Sequence, residues 1–121
     1  MTFKDRFGQK LPAAALEAEY KAAEKKFSVR LGDAHLFIRR LFRTDCLPFS
    51  SIVEICFEDE RVDCPTSEFP FEGNIFRLYF TTDAPTPCKV EVDSAVKAER
   101  IRDAVSARAP QAKVIKRIIN A

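Results

Sequence analysis

NIFRLYFTTDAPTPCKVEVDSAVKAERIRDAVSARAP, residues 74–110, changes its hydrophobic period near Asp93. Up to Val92 apolar and polar side chains alternate. Phe76, Leu78 and Phe80 share one face, and Cys88, Val90 and Val92 another, with Lys89 and Glu91 turned outward. A period of two belongs to a strand with one buried face. Beyond Ser94 the apolar residues recur every three to four positions: Ala98, Ile101 and Val105, widened by Ala95 and Ala104. That is the stripe of an amphipathic helix. Ser94 suits the N-cap, since its hydroxyl oxygen can accept from a first-turn N–H, and Pro110 ends the helix. The stretch predicts two strands joined at Asp83 to Pro87, then a helix over 94–109.

Working back from there, the alternation continues to Phe27. A strand Asn74 to Thr82 is preceded by an acidic loop from Asp59 to Gly73, punctuated by Pro65 and Pro70. Before it, a strand from Phe49 to Glu58 sends Val53, Ile55 and Phe57 one way, and Glu54 and Glu58 the other. Asp45 to Pro48 reads as a turn. His35 to Phe42 reads as a strand with Leu36 and Ile38 on one face and Leu41 on the opposite one, which calls for a bulge near Arg39-Arg40. Gly32-Asp33 is a hairpin signal, and Phe27, Val29 and Leu31 alternate before it.

Further out, PAAALEAEYKAAEKK (12–26) predicts an N-terminal helix. Pro12 suits a first turn, the alanines favour helix, and Leu16, Tyr20, Ala23 and Phe27 form a narrow stripe. Ala112 to Ile119 is β-branched with alternating charge, a terminal strand or a tail. The whole, 1–121, reads as a single domain: helix 12–26, antiparallel strands over 27–92, helix 94–109 and the segment 112–119.

Composition bounds the function. With 46% hydrophobic and 31% charged residues, the 121-residue chain can bury one core and is not a disordered chain. Its net charge of +2 carries no overall polyanion signal. Locally, residues 50–72 hold seven acids against Arg61, while residues 94–121 hold seven Lys or Arg against Glu99 and Asp103. Either the two segments neighbour one another or are simply solvated, or they serve head-to-tail self-association or a basic partner surface. The opening MTFKDRFGQKLP has no signal-peptide core, and no stretch approaches the roughly 18 apolar residues of a membrane span; a cytoplasmic protein is expected. Cys46, Cys56, Cys64 and Cys88 form no CxxC pair, so neither a zinc site nor a disulfide framework is expected.

Taken together, VRLGDAHLFIRRLF (29–42), LPFSSIVEICFE (47–58), NIFRLYFTTD, CKVEV and the closing helix resemble the pleckstrin-homology-like (PH-like) domains, and more narrowly the small bacterial ones, over residues 27–110. The resemblance implies an α+β fold: a half-open barrel of about five to seven antiparallel strands closed by the C-terminal amphipathic helix, here with an additional N-terminal helix. Such domains usually have seven strands and often a Trp in the helix; this chain has no Trp. Members that bind phosphoinositides use Lys and Arg around the first hairpin. The matching region here carries Arg30, Arg39, Arg40 and Arg43, candidates for bidentate pairing with phosphate, or else solvent-facing residues that protect a strand edge.

Catalytic chemistry finds little support. His35 is the one imidazole, and no GxSxG, P-loop or HExxH motif occurs. Glu54 and Glu58 would stand about 13 Å apart along a strand, too far to act as an acid–base pair. Glu58-Asp59-Glu60 could hold a hard cation weakly. A nucleic-acid surface would have to come from Lys113, Lys116 and Arg117 with Arg100, Arg102 and Arg108, without exposed aromatic rings. The expectation is a non-catalytic interaction module with no cofactor or metal. It would bind a protein or peptide, or a second copy of itself, through a sheet edge or the groove beside the helix. The alternative is an anionic lipid or phosphate ligand at the arginine hairpin.

Overall fold

The computed structural model describes residues 1–63 and 72–120. Its elements in chain order are β1 (Phe3–Lys4), β2 (Lys10–Leu11), α1 (Ala13–Ala22), β3 (Glu24–Lys26), β4 (Val29–Leu31), β5 (His35–Arg39) and β6 (Thr44–Pro48). A short 3-10 turn (Phe49–Ser51) leads into β7 (Glu54–Val62), β8 (Gly73–Thr81), β9 (Cys88–Val92), α2 (Ala95–Arg108) and β10 (Lys113–Ile119). Among the described residues these make an α+β fold of two mixed sheets that do not close into a barrel. One runs β2-β1-β6-β5-β4-β3, the other β10-β7-β8-β9. Two pairs are parallel, β1 with β6 and β10 with β7; the rest are antiparallel. No helix among the described residues is long and apolar enough to cross a membrane.

The main core lies between the sheets and under α2. Leu36 and Ile38 of β5, Leu47 of β6, Ile55 and Phe57 of β7, and Leu78 and Phe80 of β8 meet Ala98, Ile101 and Val105 there. The helix begins as its sequence predicts: the Ser94 hydroxyl accepts from the Lys97 N–H at 3.1 Å. A second, smaller cluster sits on the far face of the first sheet, where Phe3, Phe37 and Cys46 pack with Tyr20 of α1. The Tyr20 ring meets that of Phe37 edge-on at 5.4 Å.

Several expectations are corrected. The helix over 12–26 stops at Ala22, and Glu24–Lys26 pairs with β4 as the edge strand β3. Phe27, expected on the helical stripe, sits in the following turn at φ 54° and is exposed. Asp45–Pro48 is strand, because pairing with β5 places Leu47 opposite Leu36 and buries it. β5 stops at Arg39 without a bulge, and Leu41 and Phe42 form a turn. Val53 precedes β7 and is 53% exposed instead of sharing the core face with Ile55. Asp59–Val62, expected in the acidic loop, extend β7; residues 64–71 of that loop, with Cys64, lie outside the described residues. The 112–119 segment is a strand, and β1 and β2 carry no signal in the sequence.

Candidate anion-binding mouth

The face of β5 that sends Leu36 and Ile38 into the core continues at the same period to Arg40, where the space between the sheets opens. β6 repeats the arrangement, with Leu47 in the core and Asp45 at the opening. From the second sheet, β9 brings Cys88 to the same place, two residues before the buried Val90. Arg40 Nε donates to Asp45 Oδ2 at 2.9 Å, and Arg43 Nε donates to Asp45 Oδ1 at 2.7 Å. One carboxylate thus clamps two guanidinium groups, and the cluster keeps a surplus positive charge. Arg40 Nη2 also lies 3.4 Å from Cys88 Sγ. Each guanidinium retains N–H donors for a further acceptor.

Electrostatics keep this arrangement fixed at neutral pH. Burial works against the Arg40 charge, but the hydrogen bond to Asp45 and the charge of its carboxylate outweigh it, and its pKa is raised. Burial pushes the Cys88 thiol up although Arg40 pulls the other way, so the sulfur stays protonated and is no ready nucleophile. Around the cluster is an open cleft of about 650 Å³, lined by the 4–8 loop, Arg40, Arg43 and the 85–89 segment. Lys4 and Lys89 add charge to the wall, and Asp5 opposes it. Arg6 is tied to Asp83 across the rim.

The four arginines singled out in the sequence divide into two pairs. Arg40 and Arg43 meet at the mouth. Arg30 turns to the α1 side of the first sheet, its guanidinium 4.4 Å over the Tyr20 ring. Arg39 projects to the same side and is exposed, bordering the shallow clefts beside Tyr20 and beside the Leu41-Phe42 turn. The sequence reading missed Asp45 and Cys88. The R-x-x-R-x-D spacing over Arg40, Arg43 and Asp45 was the available signal for the carboxylate. Cys88 comes from a strand 48 residues away from Arg40 and left no such trace.

Other candidate groups are engaged. Glu58, expected on an outward face, is buried. It accepts from Arg77 Nη1 at 3.2 Å and the Tyr79 hydroxyl at 3.2 Å, with Arg117 Nη2 3.0 Å away. Arg77 Nη1 also donates to Glu60 at 2.8 Å, so Glu58 and Glu60 are paired with cations of the chain itself, while Asp59 accepts from the Asn74 side-chain amide at 2.6 Å. The acidic and basic segments accordingly lie side by side, with Lys113 opposite Glu54 and Arg117 opposite Glu58. His35 Nδ1 is 2.8 Å from Glu19 Oε1, a contact that ties α1 to the β4–β5 turn. Among the described residues no group of three His, Cys, Asp or Glu side chains is placed to hold a metal ion. In comparisons with known proteins, no family model, no curated protein and no solved structure matches the chain.

Proposed function

We propose that this chain is a non-catalytic, PH-like interaction module that holds an anionic group, phosphate in chemistry, at the mouth between its sheets. The seven consecutive strands β3 to β9 followed by α2 support the PH-like reading; β1, β2, α1 and β10 are additions to it. The observation that carries the functional reading is the Asp45-clamped pair of Arg40 and Arg43. Guanidinium groups fixed before a ligand arrives lose little freedom on binding, and they match two phosphate oxygens. In water-exposed surroundings such a site depends on ionic strength.

NMR with inorganic pyrophosphate tests this. Titration should shift the backbone amides of Arg40, Arg43, Asp45 and Cys88 together with the two Nε–H signals. Arg40→Gln with Arg43→Gln should abolish the shifts, and added salt should weaken them. Shifts absent from the mouth, or unchanged in the double variant, would refute the reading.

A second reading rests on β10. Its outer edge has no strand partner among the described residues, and Val114 and Ile118 are 44% and 63% exposed. With Lys113 and Lys116 on the same strand, that edge fits an extended acidic segment added by β-augmentation. Lys116→Pro should abolish such binding and leave the pyrophosphate shifts in place.

A further inference from the structure

The turn joining β5 to β6 breaks the usual rules of hairpin chemistry. The Arg40 N–H donates to the Arg43 carbonyl at 2.7 Å, which leaves Leu41 and Phe42 as the two residues at the tip. Two-residue hairpin turns favour Asn, Asp and Gly, which accept positive φ and face water without penalty. Neither Leu41 nor Phe42 has a positive φ. They are 86% and 89% exposed, above every other exposed large apolar residue described, and they belong to neither core cluster. Two large apolar side chains held in water at the end of a hairpin contribute nothing to the fold. A local rule broken without structural gain points to function.

The surroundings specify the occupant. Arg39, Arg40 and Arg43 form a collar immediately behind the tip, and the one acid within the collar, Asp45, is bound by two of them. Phe7, 50% exposed, stands on the rim of the same mouth with the Arg6 guanidinium 4.7 Å over its ring. Asp5 lines the cleft behind them. An apolar point with a cationic collar matches the layers of an anionic bilayer surface, with hydrocarbon below and phosphate above. A protein partner would need a broad complementary face of roughly 800 Å² per side, which two residues on a narrow tip do not supply.

We infer that the β5–β6 turn anchors the protein to anionic membrane surfaces: Leu41 and Phe42 enter the boundary between headgroups and acyl chains, while Arg39, Arg40 and Arg43 stay among the lipid phosphates. This rests on the reading of the mouth as an anion site and takes the phosphate to be a lipid's. Each element alone is a weak anchor, and membrane binding of this kind needs both.

Sedimentation with vesicles of phosphatidylcholine, with and without phosphatidylglycerol, tests the proposal. The wild-type chain should bind the phosphatidylglycerol vesicles and not the neutral ones. Leu41→Ser with Phe42→Ser should weaken that binding roughly tenfold or more, through the lost apolar area, and should keep its pyrophosphate shifts because the mouth is untouched. Since the chain has no Trp, Phe42→Trp supplies a sole indole. Its emission should move to the blue, and be quenched by brominated acyl chains, on phosphatidylglycerol vesicles alone. Wild-type binding of the double serine variant, an unmoved indole emission, or equal binding to neutral vesicles would overturn the anchor. Pyrophosphate shifts without vesicle binding would also overturn it and leave the mouth standing. Indole insertion without pyrophosphate shifts would instead overturn the mouth.

Discussion

Gly32 owes its place to a neighbour. A Cβ there would overlap the Glu19 carboxylate and come within 2.7 Å of its Cγ. That carboxylate accepts from the Ala34 and His35 N–H groups, both at 2.9 Å, and so closes the β4–β5 turn from α1. Gly32→Ala should destabilise the protein by about 1–3 kcal/mol. Combined with Glu19→Gln it should cost less than the sum of the two, since both break one cluster; thermal melts of the three variants check this. Burial raises the Glu19 pKa, but the hydrogen bonds from the Ala34 N–H, the His35 ring and the His35 N–H, with the ring's charge, outweigh it. The pKa therefore lies below the ordinary 4.5. A carboxyl whose folded pKa is depressed stabilises the fold fully above its unfolded pKa and loses that contribution as pH falls through the folded value. The stability gap between wild type and Glu19→Gln should thus narrow as pH drops below about 4.5 in urea titrations. A gap constant into strong acid would assign the carboxylate no such part.

At the scale of elements, α2 is where the sequence was most legible. Ser94, the spacing of Ala98, Ile101 and Val105, and Pro110 all act within one helix, and all three apolar residues are fully buried. Ile101→Ala should cost about 2–5 kcal/mol, because the sheet beneath cannot collapse into the space, and Ser94→Ala about 1 kcal/mol. Denaturant unfolding measures both, and a loss below 1 kcal/mol at Ile101 would contradict its place in the core. The first sheet was harder to read. EKK at 24–26 continues a helical composition, and only pairing with Val29–Leu31 makes it strand. TDCLP at 44–48 carries turn residues, yet Leu36 and Phe37 across the ladder draw it into the sheet. Tertiary pairing overrode local propensity in both places. The mouth was half legible for the same reason: Arg40 and Arg43 stand out in the chain, while Asp45 was hidden inside a misread turn.

For the whole molecule, alternation marks which face of a strand is buried but not which strand lies beside it. The parallel pairs β1–β6 and β10–β7 therefore left no mark in the sequence beyond the opposed charges of residues 50–72 and 94–121. The pairing of β10 with β7 carries a consequence for rates. Lys113 and Glu54 stand opposite one another although 59 positions apart, whereas β7, β8 and β9 pair with their chain neighbours. Closing so long a loop is slow to search for and brings no return until β7 is already ordered. We expect β10 to dock after the main folding barrier. Ile115→Ala should then accelerate unfolding and leave the refolding rate nearly unchanged, the pattern of a residue with φ near zero. Stopped-flow chevrons would show it, and a matching slowdown in refolding would move β10 into the nucleus. On this account β10 governs how long the folded chain persists without governing how quickly it forms.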